Sequence, residues 1–161
     1  MESINMNATD LKLLDLLQTD ASLSNQDLAE RVHISPPTCL RRIKRLRDAG
    51  LIEREIAVLS ADRLADALGH GLTAVVEISL DRQGEEALEA FEARVVQDDA
   101  VQQCYRVSPG PDFVLLVHMA DMPGYQTLAQ RLFTSDANVR NVKAFFSVKR
   151  AKFQPKVLLW L

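Results

Sequence analysis

The chain has 161 residues and a formal net charge of −3 at pH 7, and 47% of its residues are hydrophobic and 25% charged. This balance is typical of a globular protein with one or two domains. No apolar run reaches the roughly 20 residues of a membrane helix, and the N-terminus lacks a secretory pattern, so we expect a cytoplasmic protein without membrane contact. Cys39 and Cys104 are far apart, which argues against a disulfide framework or thiolate metal site.

The first two predicted elements are short amphipathic helices. Leucines recur at helical spacing through residues 8–19, and Thr9 and Asp10 are candidate starters of that helix. Ser24 is placed to cap the second helix. That helix is expected to bury Leu28, Ala29 and Val32.

The third predicted helix lies in the most basic part of the chain. Ser35 followed by Pro36 and Pro37 is typical of a helix start, and Gly50 can adopt the left-handed conformation that ends a helix. Two acids oppose a cluster of seven basic residues around this helix: Arg31, Arg41, Arg42, Lys44, Arg45, Arg47 and Arg54. The charge is therefore local, although the net charge of the chain is negative.

A helical projection at 100° per residue separates an apolar stripe from a cationic face. The stripe consists of Leu40, Ile43 and Leu46, with Cys39 beside it. A helix of this kind fits the DNA major groove, where arginine can pair with guanine O6 and N7. The alternative is a basic surface helix of a small bundle. The predicted DNA-binding residues are Ser35, Pro36, Thr38, Arg41, Arg42, Lys44 and Arg45, with Arg41 and Arg45 on base edges and Arg42 and Lys44 on phosphates.

Residues 23–46 read LSNQDLAERVHISPPTCLRRIKRL and are followed by Ala-Gly-Leu-Ile at 49–52. This segment resembles the Lrp/AsnC (feast/famine) family of transcription regulators, and the resemblance covers nearly the whole chain. It implies a regulator of metabolic genes that binds double-stranded operator DNA and responds to a small molecule, often an amino acid. The chain departs from the family at His33, which replaces the usual turn glycine, and at Ser22, which replaces a common arginine. About four extra residues lie within 61–68.

The rest of the chain predicts a second domain. After an extended connector at 51–59 and a linker helix at 61–68, the predicted order is strand 72–80, helix 83–96, strands 101–107 and 113–119, helix 125–133 and strand 139–148. This β-α-β-β-α-β order is typical of a ferredoxin-like domain. The fold class is therefore α+β, with a winged helix-turn-helix domain at 1–54, a linker at 55–69 and a ferredoxin-like dimerisation and effector-sensing domain at 70–161.

Four short strands bury too little apolar surface alone, so we expect a homodimer. The family resemblance implies that two sheets pack together in that dimer, and assembly to a tetramer or octamer is an open alternative.

The loop at 108–112 is where the resemblance places the small-molecule effector, between dimers. The predicted effector-binding residues are Ser108, Pro109, Gly110 and Asp112, together with Ala144 and Phe145 on the last strand. The apolar pair at 144 and 145 favours an apolar amino acid. The alternative is a rigid hairpin turn with an aspartate that faces solvent.

Enzymatic function is the competing class. His33, His70 and His118 lack the spacing of metal ligands, and no phosphate-binding loop or nucleophile motif occurs, so no catalytic residue, metal or cofactor is predicted. Siroheme decarboxylases resemble the same two-domain family, and His70 or His118 could act in such a pocket. A third class is an amino-acid-binding module without DNA function, which would have no need of the basic helix.

Overall fold

The computed structural model of this protein describes residues 5–159. The chain forms two compact units: residues up to 58 together with the C-terminal segment from 152, and residues 59–151. The division expected from the sequence differs at the C-terminal segment, because that segment bonds to the first helix through Gln18 and Val157. No described helix combines the length and apolar character needed to cross a membrane.

The first unit contains three helices: α1 (Ala8–Thr19), α2 (Asn25–Arg31) and α3 (Pro36–Asp48). The N-cap of α1 is Asn7 rather than Thr9 or Asp10, because the Asn7 side chain accepts from the Asp10 N–H while the Asp10 carboxylate accepts from the Asn7 N–H. Ser24 caps α2 with the same reciprocal arrangement, as predicted.

The three helices enclose a small apolar core. Its buried members are Leu13, Leu28, Ala29, Val32, Cys39 and Ile43. The prediction that Leu40 belongs to the buried stripe of α3 is wrong, since Leu40 is 61% exposed whereas Cys39 is fully buried. The buried stripe is rotated by one residue because α1 and α2 both pack on the side of α3 that carries Cys39.

The second unit begins with α4 (Ala61–Leu68) and contains a four-stranded antiparallel sheet. The strands are β1 (Leu72–Leu80), β2 (Val101–Arg106), β3 (Phe113–Met119) and β4 (Val139–Phe146), in the spatial order β2-β3-β1-β4. Helix α5 (Glu85–Val95) follows β1, and α6 (Met122–Ala129) follows β3 and continues as a π-helical turn (Gln130–Thr134). The predicted ferredoxin-like order is confirmed.

The start of α6 differs from the prediction by three residues. Asp121 caps the helix by accepting from the Gly124 N–H, and Pro123 lies in the first turn. Proline is compatible with this position because the N–H it lacks has no partner inside a helix start.

The two faces of the sheet have different surroundings. Alternate residues of β1, namely Ala74, Val76, Ile78 and Leu80, are buried in a core that also contains residues of α5 and α6. The opposite face, here called the open face, carries Val75, Tyr105 and Phe145, which are 37%, 56% and 54% exposed. Within the described chain this apolar face is not covered.

Candidate nucleic-acid interface and effector loop

The start of α3 is fixed by contacts within the helix-turn-helix. The Asn25 amide donates to the Pro36 carbonyl at 2.9 Å, which links the first turns of α2 and α3. His33 lies in the connecting turn with φ of +57°, a conformation in which the family glycine would be unstrained. The turn therefore forms with histidine in place of the usual glycine, and α3 follows it as the second helix of the motif.

A buried carboxylate lies beneath the cationic face of α3. The side chain of Asp10 is 1% exposed and pairs with two arginines one turn apart: Arg42 Nη1 is 2.9 Å from its Oδ1, and Arg45 Nη2 is 2.6 Å from its Oδ2. Arg42 Nη1 is also 3.3 Å from Asn7 Oδ1. Each carboxylate oxygen therefore accepts from a different arginine.

Asp10 is ionised in this setting. Burial acts to raise the pKa of its carboxyl, but the hydrogen bonds from the Asn7 backbone, Arg42 and Arg45 outweigh burial and hold the pKa below its usual value. Breaking a buried ion pair by removing one partner costs about 3–5 kcal/mol, and less where the arginine is partly in water. Arg45 is 45% exposed, so the lower end applies to that pair.

The other cations of α3 differ in how firmly they are held. Lys44 pairs with Asp48 at 2.9 Å one turn along the helix, and Arg47 pairs with Glu55 at 2.6 Å. Both pairs are exposed and contribute little to stability, so they can exchange with a phosphate at small cost. Arg41 is exposed and forms no hydrogen bond or ion pair with any residue from 5 to 159.

A concave hollow of about 430 Å³ lies beside this face and is lined by Asn5, Asn7, Arg41, Arg42 and Arg45. Three of these side chains are cationic and two are amides, a composition suited to an anionic group such as a DNA phosphate. Among the other predicted DNA-binding residues, Ser35 and Pro36 are exposed, and the Ser35 hydroxyl donates to that of Thr38 at 2.9 Å.

The loop at 108–112 is anchored to β1. The Asp112 carboxylate accepts from the Leu80 N–H at 2.7 Å and from the Gln83 amide at 3.2 Å, both through Oδ2, while the Asp112 N–H donates to the Ile78 carbonyl at 2.9 Å. Gly110 has φ of +125°, which only glycine adopts readily. Asp112 therefore holds the loop through Oδ2, as a rigid turn requires, and its side chain is half-buried.

Ala144 and Phe145 are not brought to this loop within one chain. Strands β3 and β4 flank β1 on opposite sides, which separates them by roughly 10 Å. Phe145 pairs with Val75 on the open face, whereas Ala144 packs against the core on the other face. The expectation that both residues line one site with Asp112 is not met inside a single copy, because neighbouring strand residues point to opposite faces.

Two family models match the chain in the places where these features lie. The model for winged helix-turn-helix DNA-binding domains matches residues 6–53, and the model for the Lrp/AsnC ligand binding domain matches residues 73–157. The chain belongs to the Lrp/AsnC family of transcription regulators. The first match contains all of α1–α3, and the second contains the four-stranded sheet except for Leu72, the first residue of β1.

Relatives and solved structures agree with this membership. The chain is 34% identical to a leucine-responsive regulatory protein of Rhizobium meliloti, covering 92% of this chain and 93% of the relative. It is 33% identical to the Bkd operon transcriptional regulator of Pseudomonas aeruginosa, covering 87% and 89%. The structure of a Neisseria meningitidis transcriptional regulator in complex with L-Met superposes with a TM-score of 0.83 at 30% identity, covering 96% and 97%.

This Lrp/AsnC regulator carries one feature that reasoning from the sequence missed. Asp10 was interpreted only as a helix starter, although it is the acid that organises Arg42 and Arg45. The available signal was a single acid at the start of a leucine-rich helix, 32 and 35 residues before two arginines of the basic helix. Residues this far apart in sequence show no helical or strand periodicity, so the pattern of the sequence could not predict the contact.

Proposed function

We propose that α3 reads operator DNA in the major groove, with Arg41 as the principal base-reading residue and Arg45 beside it. The observation that carries this is the exposed Arg41 side chain, which makes no bond with any described residue and borders the cationic hollow. Lys44 flanks it and contacts phosphates, whereas Arg42 can offer a phosphate only the donors that its bonds to Asp10 and Asn7 leave over. Ser35, Pro36 and Thr38 lie at the start of the helix, near the DNA backbone. A regulator that binds operator DNA in this way acts in the cytoplasm.

Selection from random-sequence duplexes tests this proposal. The full-length protein should enrich one motif, and because a dimer presents two recognition helices, the motif should contain two half-sites about 10 base pairs apart or a multiple of that spacing. Recovery of unrelated sequences without a shared motif would contradict sequence-specific recognition.

We further propose that two copies form a homodimer through their open faces. Val75, Tyr105 and Phe145 give each copy an apolar surface, and Glu77 lies opposite Lys143 across β1 and β4 on the same face. A second sheet would remove these side chains from water, which is the main favourable term in association. Assembly beyond the dimer does not follow from this surface.

The effector that fits best is an apolar amino acid held at the 108–112 loop. Asp112 Oδ1 makes no hydrogen bond with a described residue and can accept from an ammonium group, while loop amides near Ser108 and Gly110 can donate to a carboxylate. The L-Met complex of the Neisseria relative supports this class of ligand. Because Phe145 belongs to the open face, the proposed effector site consists of the 108–112 loop alone within one copy. A contact from Ala144 would have to come from a second copy.

Thermal-shift measurements with the twenty amino acids test the effector proposal. A ligand at 100 times its dissociation constant stabilises by about 2.7 kcal/mol, so one apolar amino acid should raise the melting temperature clearly. The absence of any shift at millimolar concentration, or the largest shift with a charged amino acid, would overturn it.

Enzymatic activity has no support in a family of transcription regulators, and a Soret band in the purified protein would reopen the siroheme alternative.

A further inference from the structure

The pairing of Asp10 with two arginines of the recognition helix has a consequence for DNA specificity. Asp10 is on α1, and its side chain is buried. It therefore cannot move outward with an arginine that turns toward DNA. If Arg42 and Arg45 left it to contact DNA, a buried carboxylate would lose both of its charged partners, which is strongly unfavourable. The two pairs are therefore expected to persist when DNA is bound.

The bonds to Asp10 use some guanidinium donors and leave others. Arg45 donates one Nη2 hydrogen to Asp10 and is 45% exposed, so most of its five N–H donors remain available for DNA. Arg42 is only 27% exposed, donates from Nη1 to both Asp10 and Asn7, and has a buried Nε without a hydrogen-bond partner among the described residues. Arg42 is thus largely committed inside the protein, whereas Arg45 presents a free edge in a fixed direction.

We propose that Asp10 is a positioning residue for operator recognition, which orients Arg45 toward base edges and withholds Arg42 from indiscriminate phosphate contact. This inference rests on the proposed reading of DNA by α3. Arginine recognises guanine only when two of its N–H groups lie in the plane of the base and donate to O6 and N7. A guanidinium whose orientation is fixed by Asp10 therefore discriminates better between bases. A guanidinium released from Asp10 finds phosphates on any sequence, because phosphate contacts carry no sequence information.

The test compares wild type with Asp10→Asn on two duplexes, one selected by the wild-type protein from random sequences and one a scrambled version of it. Asparagine keeps the size of the side chain but removes the charge that holds the arginines. The ratio of selected to scrambled affinity should fall about ten-fold or more. Affinity for the scrambled duplex should rise, and its salt slope should steepen by up to about 0.9 for each arginine that reaches a phosphate.

Asp15→Asn is the matched control, because it removes the same charge from the same helix. Asp15 is one-third exposed and pairs with Lys156 rather than with α3. Its variant should keep the wild-type affinity ratio. A purely structural role of Asp10 predicts that affinity for both duplexes falls together, and that result, or an unchanged ratio, would overturn the proposal. If wild type selects no motif at all, the proposed function fails instead.

A second measurement needs no variant and covers the case in which Asp10→Asn does not fold. Nuclear magnetic resonance of the arginine side chains in wild-type protein reports how fast each guanidinium rotates. Arg42 should rotate slowly both free and bound to the selected duplex, Arg45 should be slowed in the free protein, and Arg41 should rotate fast when free. Rotation of Arg42 and Arg45 as fast as that of Arg41 in the free protein would overturn the assignment.

Discussion

Arg41 and Lys44 lie one turn apart on α3 and differ in their surroundings. Arg41 forms no bond with residues 5–159, whereas Lys44 pairs with Asp48 on the helix surface. Replacing Arg41 by alanine should cost about 1–3 kcal/mol in binding to the selected duplex and relax the base preference at one position, because a bidentate base contact is lost. Titration by fluorescence anisotropy against single-base variants of the duplex measures both effects.

Lys44→Ala provides the contrasting variant. It should weaken binding to all sequences equally and make the slope of log affinity against log salt shallower by about 0.9, because one phosphate contact is lost. Arg82→Ala removes a positive charge from the second unit, outside the residues that match the helix-turn-helix model, and should change neither quantity. Equal losses of base preference in the Arg41 and Lys44 variants would contradict the division of roles.

His33 should be a site of measurable backbone strain. At φ of +57° a non-glycine residue costs about 1–2 kcal/mol, part of which glycine gives back through its greater freedom in the unfolded chain. His33→Gly should therefore stabilise the first unit by roughly 0.5–1 kcal/mol. Denaturant unfolding measures this, and His33→Ala, which shortens the side chain but keeps the strain, should show no such gain. A destabilised glycine variant would mean that the histidine side chain is itself a contact.

The residues that sequence reasoning misplaced share one cause. A helical projection finds the period of an apolar stripe, but the direction of the stripe depends on where the neighbouring helices lie. Leu40 and Cys39 differ by one position, and only the packing of α1 and α2 decides that Cys39 is buried. The contacts of Asp10 depend on the same packing.

At the scale of elements, the sequence-based predictions were most accurate where periodicity and end signals agreed. The bounds of α1, α4, β1 and β3 are those predicted, and Gly50 ends the turn after α3 with φ of +73°. The start of α6 was missed, although Asp121 followed closely by Pro123 is typical of a helix start.

The 108–112 loop combines a structural and a predicted sensing role in one residue. Asp112→Ala removes the acceptor of the Leu80 N–H, so it should destabilise the second unit by about 1–2 kcal/mol. It should also abolish the melting-temperature shift caused by the amino-acid effector, while affinity for the selected duplex stays unchanged. Thermal unfolding with and without the amino acid found by screening measures the first two effects.

Asp81→Ala is the control for this loop, since Asp81 lies at the same end of β1 and its carboxylate forms no hydrogen bond with a described residue. Its variant should retain both stability and the ligand response. If the amino acid still raises the melting temperature of Asp112→Ala, the loop is only a structural turn.

At the scale of the whole molecule, the open face predicts the oligomeric state. Phe145→Glu places a charge on an apolar surface that is proposed to be buried between copies, so the dimer should dissociate toward monomer. Val148→Glu adds the same charge two residues beyond the end of β4, where the side chain is fully exposed, and should leave the dimer intact. Sedimentation velocity at micromolar concentration compares the two, and a Phe145→Glu variant that remains dimeric would place the interface elsewhere.

Recognition of a DNA sequence by this Lrp/AsnC regulator through α3 is tested most directly by the ratio of two affinities. Wild-type protein is titrated against the selected duplex and against its scrambled version at one physiological salt concentration. We predict that the selected duplex binds at least about 10³-fold more tightly, as specific DNA-binding proteins do. Equal affinities for the two duplexes would contradict sequence-specific recognition by α3.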